Sequence, residues 1–320
     1  MLKKIIYITS NDRSGSTILD IILGQHSLIC SAGELHHLHA YVNEDRKLYA
    51  PKMELVCSCG KKVIHCDFWK NVEKELNNKL SDFPLRLDRE TNLKAKINLS
   101  YFIKSNNILK LKNKLISKVY RKHPLLFDND MSFEFSGYKN IASNYLKIYD
   151  AISKASVKPF IVDSSKTPHR FKYIQKLIPN KIFVIHLVRH PVGVISSFHK
   201  RGSSIDDAIA RWVELENRIN SFLLKIPSDA QILIRYEDLC KEPEKMLKML
   251  LKSLGLSFEE QMLFLTLDGK HHLGGSPSKF KYDGTLSFDN RYLLSLQKSE
   301  IDYIVHKTKK LVERYQYNLD

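Results

Sequence analysis

An α/β fold built on a parallel sheet is what this chain of 320 residues predicts, and three observations carry that expectation. Short apolar runs suited to strands recur at 3–10, 159–162, 182–188 and 231–235. Helical patterns separate them, at 14–23, 168–177, 191–200, 205–225 and 243–254, which is the alternation of parallel strands and crossover helices. The first run also leads into a loop bearing Ser and Gly that opens a helix, as a phosphate-binding loop does.

The elements follow in order. KKIIYITS at 3–10 reads as a short buried strand, and Ser14 to Leu23 as a helix, with Gly24 as its expected stop. Residues 67–150 read as a mostly helical insertion within a single domain spanning 1–320. They are rich in Lys, Asn, Leu and Ile, and Ile108, Leu111, Leu115, Ile116 and Val119 share one helical face. No nucleotide chemistry is visible there. Strand character returns with PFIV at 159–162. IFVIHLV at 182–188 is apolar almost throughout, as a strand covered on both faces should be. QILIR at 231–235 closes the series.

Composition bounds the function. With 51 Lys and Arg against 35 Asp and Glu, the formal charge is 51 − 35 = +16, which calls for an anionic partner. A hydrophobic fraction of 43% excludes wholesale disorder. No apolar run approaches the ~20 residues of a membrane span, and the N-terminus lacks the form of a secretory signal. A cytoplasmic protein is the expectation. Five cysteines, an odd count in a long chain, argue against a disulfide framework. Within 91–127 lie Lys94, Lys96, Lys104, Lys110, Lys112, Lys114, Lys118, Arg121 and Lys122, with no acid. No nucleic-acid motif accompanies them. They read as a solvated basic face, or as the attraction for an anionic or membrane-associated partner.

Two motifs carry chemistry. Ser10-Asn11-Asp12-Arg13-Ser14-Gly15-Ser16-Thr17 keeps the Gly and Thr spacing of G-x-x-x-x-G-K-[ST], but Ser16 stands where that motif has Lys. A triphosphate with Mg²⁺ requires that Lys. An anion can still be held by the backbone amides, by the forked donor of Arg13 and by the hydroxyls of Ser14, Ser16 and Thr17. The second motif runs from Leu187 to Phe198. Its buried strand ends in Arg189, Pro191 opens a helix, and Ser197 falls about two turns along. Arginine at a strand's carboxyl end faces the ligand crevice of such sheets, so Arg189 and Ser197 could converge on one phosphate.

Together these stretches resemble the PAPS-dependent sulfotransferases. R-S-G-[ST]-T after the first strand is similar to the family's 5′-phosphosulfate loop, and V-R-[DNH]-P-x-x-x-x-x-S to its 3′-phosphate motif. The likeness covers roughly half the chain, and runs closest to the bacterial branch and to tyrosylprotein sulfotransferases. It implies a P-loop-like parallel sheet of about five strands flanked by helices. It further implies transfer of a sulfuryl group from PAPS to a hydroxyl or amine, releasing PAP, with no metal required.

The resemblance extends to single residues. Ser31-Ala32-Gly33-Glu34 matches the C-G-E of the tyrosylprotein branch, which makes Glu34 the implied catalytic base. A carboxylate can accept the acceptor's proton as its oxygen attacks sulfur. His36 and His37 are rivals, since some relatives use a His base. Lys166, after the second strand, matches a lysine that contacts the leaving phosphate or the sulfonate, where it and Arg13 would stabilise developing charge. Ile234-Arg235-Tyr236-Glu237-Asp238-Leu239 is similar to an R-Y-E-D-L stretch. There Tyr236 is a candidate for the adenine edge or for packing, and Trp212 is expected in the core. His272 to Phe280 resembles a late Gly-rich loop closing over the nucleotide, with Lys279 or Lys281 near the 3′-phosphate.

Cys57, Cys59 and Cys66 form C-x-C-x₆-C, a pattern similar to some bacterial members. With His65 it could make a zinc site, but it lacks the paired C-x₂-C of common zinc modules. Packing or a local disulfide is the expectation, and no metal is assigned. Two other function classes stay open at this point: a P-loop kinase or nucleotide hydrolase, for which no Mg²⁺ ligands can be placed, and a non-catalytic anion- or membrane-binding protein.

Overall fold

In the computed structural model the described residues are 1–44, 55–83, 85, 138–281, 284, 286–290, 292 and 295–317. Five parallel strands form one sheet: β1 Lys4–Ser10, β2 Ile29–Ser31, β3 Phe160–Lys166, β4 Ile182–Val188 and β5 Gln231–Arg235. Their order is β2-β3-β1-β4-β5. The chain therefore builds outward from β1 first to one side and then to the other, which leaves a crevice at the carboxyl end of β1.

Strand residues alternate between two cores. Ile5 and Tyr7 of β1 join Ile161 and Val184 under α3 (Asp67–Leu76), α4 (Tyr138–Ser156) and α5 (Pro168–Leu177). Ile6 and Ile8 join Val162, Phe183 and Ile185 under α1 (Ser16–Gln25). Burial on both faces explains why β4, buried at every position, reads as an apolar run interrupted only by His186. The short helices α2 (Leu38–Val42) and α8 (Tyr236–Lys241) and the longer α9 (Pro243–Leu254) complete these layers. A third cluster joins α6 (Pro191–His199), α7 (Ile205–Leu223) and α10 (Lys298–Arg314) around Trp212, which is a fully buried core residue as expected.

Two local expectations are corrected. β2 has no counterpart among the sequence signals, because three residues, Ile29-Cys30-Ser31, are too few to show a period. Gly24 does not end α1. The helix runs to Gln25, and the glycine permits close approach to β2, since a Cβ there would lie 2.6 Å from the Ser31 Cβ. Of the insertion at 67–150, α3 and the start of α4 are helical. Residues 86–137, including the 108–119 amphipathic pattern and the whole basic segment at 91–127, lie outside the described residues. No helix among the described residues is long and apolar enough to cross a membrane.

Candidate active site

The crevice beside β1 gathers both motifs. The loop from Asn11 to Gly15 turns sharply, with Arg13 and Gly15 both left-handed at φ 72° and 90°. A Cβ on Gly15 would also lie 2.5 Å from Cδ2 of Tyr236, so glycine is needed twice over. Successive amides in such a turn form an anion-binding concavity. The first turn of α1 has neither a capping side chain nor an acid, so its partial positive charge faces the crevice.

Arg13 Nε donates to Ser197 Oγ at 3.0 Å, which joins the loop to the second motif. Arg189, at 8% exposure, donates from Nη1 to the Arg13 carbonyl at 3.1 Å and from Nη2 to the Asp289 carbonyl at 2.8 Å. The Asp289 carboxylate lies 3.8 Å away. The guanidinium stacks 4.6 Å from the ring centre of Tyr236, a cation–π contact. Tyr236 is itself 2% exposed. Its place is thus beneath Arg189 and Gly15, holding both.

Glu34 and Lys166 meet across the crevice. Lys166 Nζ lies 2.6 Å from Glu34 Oε1 and 3.4 Å from Asp12 Oδ1. His37 Nε2 lies 3.4 Å from Glu34 Oε2. Burial pushes the Glu34 carboxyl upward, but the Lys166 ammonium and the contacts with His37 outweigh it and hold the group well below its ordinary range. Burial opposes the charge of Lys166 too, yet Glu34 and Asp12 raise it above its ordinary value. His36 packs against His37 with ring centres 3.6 Å apart, and its backbone amide donates to Ser165 Oγ at 3.2 Å. Glu34, His36 and His37 hold their ligand atoms within 4.8 Å of one another, but the Lys166 ammonium already occupies the carboxylate.

The backbone that presents Lys166 is unusual. Tyr7 pairs with Asp163 and Thr9 with Lys166, so β3 carries one residue more than β1 across that step. Lys166 takes the left-handed φ of 67° at this bulge, and bulges re-aim side chains in this way. Thr9 Oγ1 fixes the Lys166 carbonyl at 2.6 Å, and Tyr7 Oη the Thr167 carbonyl at 2.8 Å. Asp163 accepts from Tyr149 Oη at 2.6 Å and from the Ser165 amide at 2.8 Å. Burial lifts its pKa to about 6.

Sequence reasoning missed the polar supports. Beneath the loop, Glu216, fully buried, accepts from Asn11 Nδ2 at 2.6 Å and from Tyr315 Oη at 2.7 Å, with His186 Nε2 at 3.0 Å. Asp20 similarly ties Ser31 Oγ at 2.6 Å and Ser164 Oγ at 2.5 Å. Asp12 bridges Lys166 and Arg211, the latter at 2.7 Å. Asn11, Asp12 and Ser31 stood inside motifs already in view, whereas Glu216, Asp20 and Tyr315 stood in none.

The late Gly-rich loop does close on the phosphate loop: the Ser276 amide donates to Thr17 Oγ1 at 3.0 Å, and Gly275 packs against the same side chain. Lys279, however, turns inward. It is 4% exposed and donates to the Gly274 carbonyl at 2.5 Å, with His272 Nδ1 at 3.3 Å. Burial lowers its pKa to about 8. The segment that reaches Arg189 is the one carrying Asp289. The side chain of Lys281 lies outside the described residues.

The loop at the switch point of this parallel sheet can hold an anion, faces a carboxylate–ammonium pair and lacks the lysine that a triphosphate loop requires. The chain belongs to the sulfotransferase family, whose model matches residues 6–260. Two solved structures are similar over its full length. They are the sulfotransferase domain of the Synechococcus PCC 7002 olefin synthase (20% identity, 96% of that chain, TM-score 0.53) and the sulfotransferase domain from the curacin biosynthetic pathway (22% identity, 99% of that chain, TM-score 0.54). These likenesses show the fold. No curated protein matches the sequence significantly. The protein is an enzyme of sulfuryl transfer, and PAPS is the general donor of its family. The kinase, hydrolase and non-catalytic readings give way to it.

Proposed function

We propose that this chain uses PAPS as donor and needs no metal for the transfer itself, with Glu34 as base and Lys166 and Arg13 stabilising the charge that develops. PAPS supplies the sulfuryl group, with PAP as leaving group. The single observation that carries the reading is the convergence of Arg13, Ser197 and Arg189 beside the uncapped start of α1. Its donors suit phosphates: Ser14 Oγ and Arg189 Nε are buried and have no hydrogen-bond partner among the described residues. The amides of Gly15, Ser16 and Thr17 and the hydroxyl of Ser14 would hold the 5′ end of the donor. Arg189 and Ser197 would hold its 3′-phosphate. Tyr236 and Lys279 support this site from inside, as packing partners of Arg189 and of the Gly-rich loop.

At rest Glu34 is a weak base, because Lys166 and His37 stabilise its charged form. An anionic donor competes for the Lys166 ammonium, and each step of Lys166 away from Glu34 returns basicity to the carboxylate. Base strength is thereby tied to an occupied donor site.

PAP should raise the melting temperature, while Mg-ATP at the same concentration should not. At 100 times its dissociation constant PAP contributes about 2.7 kcal/mol. Arg189→Ala should weaken PAP by about 10- to 150-fold, the worth of a charge-assisted bond of ~1.5–3 kcal/mol. Unchanged calorimetric affinity in a folded variant would remove the 3′-phosphate role.

The acceptor we infer is an anionic hydroxyl or amine compound, or one presented on an anionic membrane. The nine cations of 91–127 support this, with no acid among them. Neutralising Lys110, Lys112, Lys114 and Lys118 together should raise the acceptor KM at low ionic strength, leave PAP affinity unchanged and flatten the salt dependence. If KM and its salt response match wild type, the segment is a solvated face and the acceptor class is open again.

A further inference from the structure

Outside the crevice, a second cluster has no part in the transfer chemistry. Cys57, Cys59 and Cys66 meet His271, and the four ligand atoms lie within 4.8 Å of one another. The histidine comes from a segment 205 residues beyond Cys66. His65, the ligand suggested by proximity in sequence, is exposed and stands outside the cluster.

The separations match a metal polyhedron. Zinc–sulfur bonds of about 2.3 Å and zinc–nitrogen bonds of about 2.0–2.1 Å place the corners of a tetrahedron about 3.8 Å apart for two sulfurs and about 3.6 Å for sulfur and nitrogen. Here Cys59 and Cys66 Sγ are 3.6 Å apart, Cys57 and Cys66 Sγ 3.9 Å, and His271 Nδ1 lies 3.8 Å from Cys57 Sγ and 3.1 Å from Cys66 Sγ. All three cysteines are free thiols.

The surroundings orient the ligands. The His271 ring stacks on Phe68, 4.8 Å between centres and 6° from parallel. The Gly60 amide donates to the Cys57 carbonyl at 2.9 Å, in a turn where Gly60 has φ 83°. Ser58 laces the two segments together: its Oγ donates to the Lys270 carbonyl at 2.7 Å and accepts from the His272 amide at 2.9 Å, and its own amide donates to the His272 carbonyl at 3.1 Å.

We propose that Cys57, Cys59, Cys66 and His271 bind one Zn²⁺ tetrahedrally, as a structural clamp. Four protein ligands leave no open position, so the metal takes no part in the reaction. Its effect passes through Leu273, two residues from His271. The Leu273 carbonyl accepts from the Glu34 amide at 2.8 Å, and the Leu273 amide donates to the Ala32 carbonyl at 3.2 Å. A Cβ on the intervening Gly33 would lie 2.0 Å from that Leu273 carbonyl. The clamp therefore pins the strand end that presents Glu34, and through Ser276 the Thr17 side chain as well.

Elemental analysis of the purified full-length chain tests this. One zinc per chain is expected. Stripping it with a chelator should lower the melting temperature by about 5 °C or more, and Zn²⁺ should restore it. Co²⁺ in its place should give the visible absorption of a tetrahedral thiolate site. Cys59→Ser, at the exposed ligand, should cut occupancy by more than the ~10-fold that loss of an outer-shell partner costs. Zinc-free protein whose melting is indifferent to chelator, stoichiometric iron, or a disulfide among the three cysteines would each overturn the proposal. The metal readouts do not depend on sulfuryl transfer.

Discussion

Glu34→Gln should lower turnover by about 10²–10⁴ while leaving PAP affinity near wild type. The amide is nearly isosteric but cannot take a proton, and the site is well suited to keep its shape. Glu34 is 6% exposed, its backbone amide is bound to Leu273, and Lys166 retains Asp12 when the carboxylate charge is lost. Rapid-mix kinetics with saturating donor, beside PAP calorimetry, separate the two effects. Near-normal turnover would move the base to His36, His37 or solvent.

A stability signature accompanies it. The Glu34 carboxyl in the folded chain sits below its ordinary 4.5, so its contribution is present above that value and is lost as pH falls through the lower folded one. The folded Lys166 sits above 10.5, so its contribution is full below 10.5 and is lost as pH rises through the higher value. The pair is intact across the neutral range. The melting difference between wild type and Glu34→Gln should persist from neutral pH down to about 4.5 and then shrink.

Lys166→Met should reduce kcat by on the order of 10²–10³, the usual loss when one preorganised charge-stabilising donor is removed. Breaking a buried ion pair from one side costs about 3–5 kcal/mol. The cost here should fall short of that, because His37 Nε2 remains 3.4 Å from the carboxylate. Lys166→Arg restores the charge with a planar fork in place of a compact ammonium, and should recover only part of the rate. A folded Lys166→Met enzyme with wild-type kcat would assign the stabilising charge to Arg13 alone.

Much of this enzyme is written locally. β1, β3 and β4 are visible because strands buried on both faces read as apolar runs, and β5, a partly buried edge strand, because QILIR is a short apolar run between helical patterns. The phosphate loop, Arg189 and Ser197 are visible because each sits at a fixed offset from the end of such a strand, whereas Lys166 came into view by resemblance. Glu34 came into view by resemblance, since nothing in its neighbourhood separates a base from a surface carboxylate. β2 is too short to carry a period, and its edge is defined by Gly24 closing on Ser31.

Only the folded chain decides who supports whom. Asn11 finds Glu216 across 205 residues, Arg189 finds Asp289 across 100, and Cys66 finds His271 rather than the adjoining His65. Lys279 has the right charge for a phosphate, yet packing turns it onto Gly274. The reason is physical. Propensity, periodicity and loop chemistry act over a few residues and so leave a local trace. Polar side chains brought together by sheet crossovers satisfy one another only once water is excluded around them, and that pairing follows from the topology.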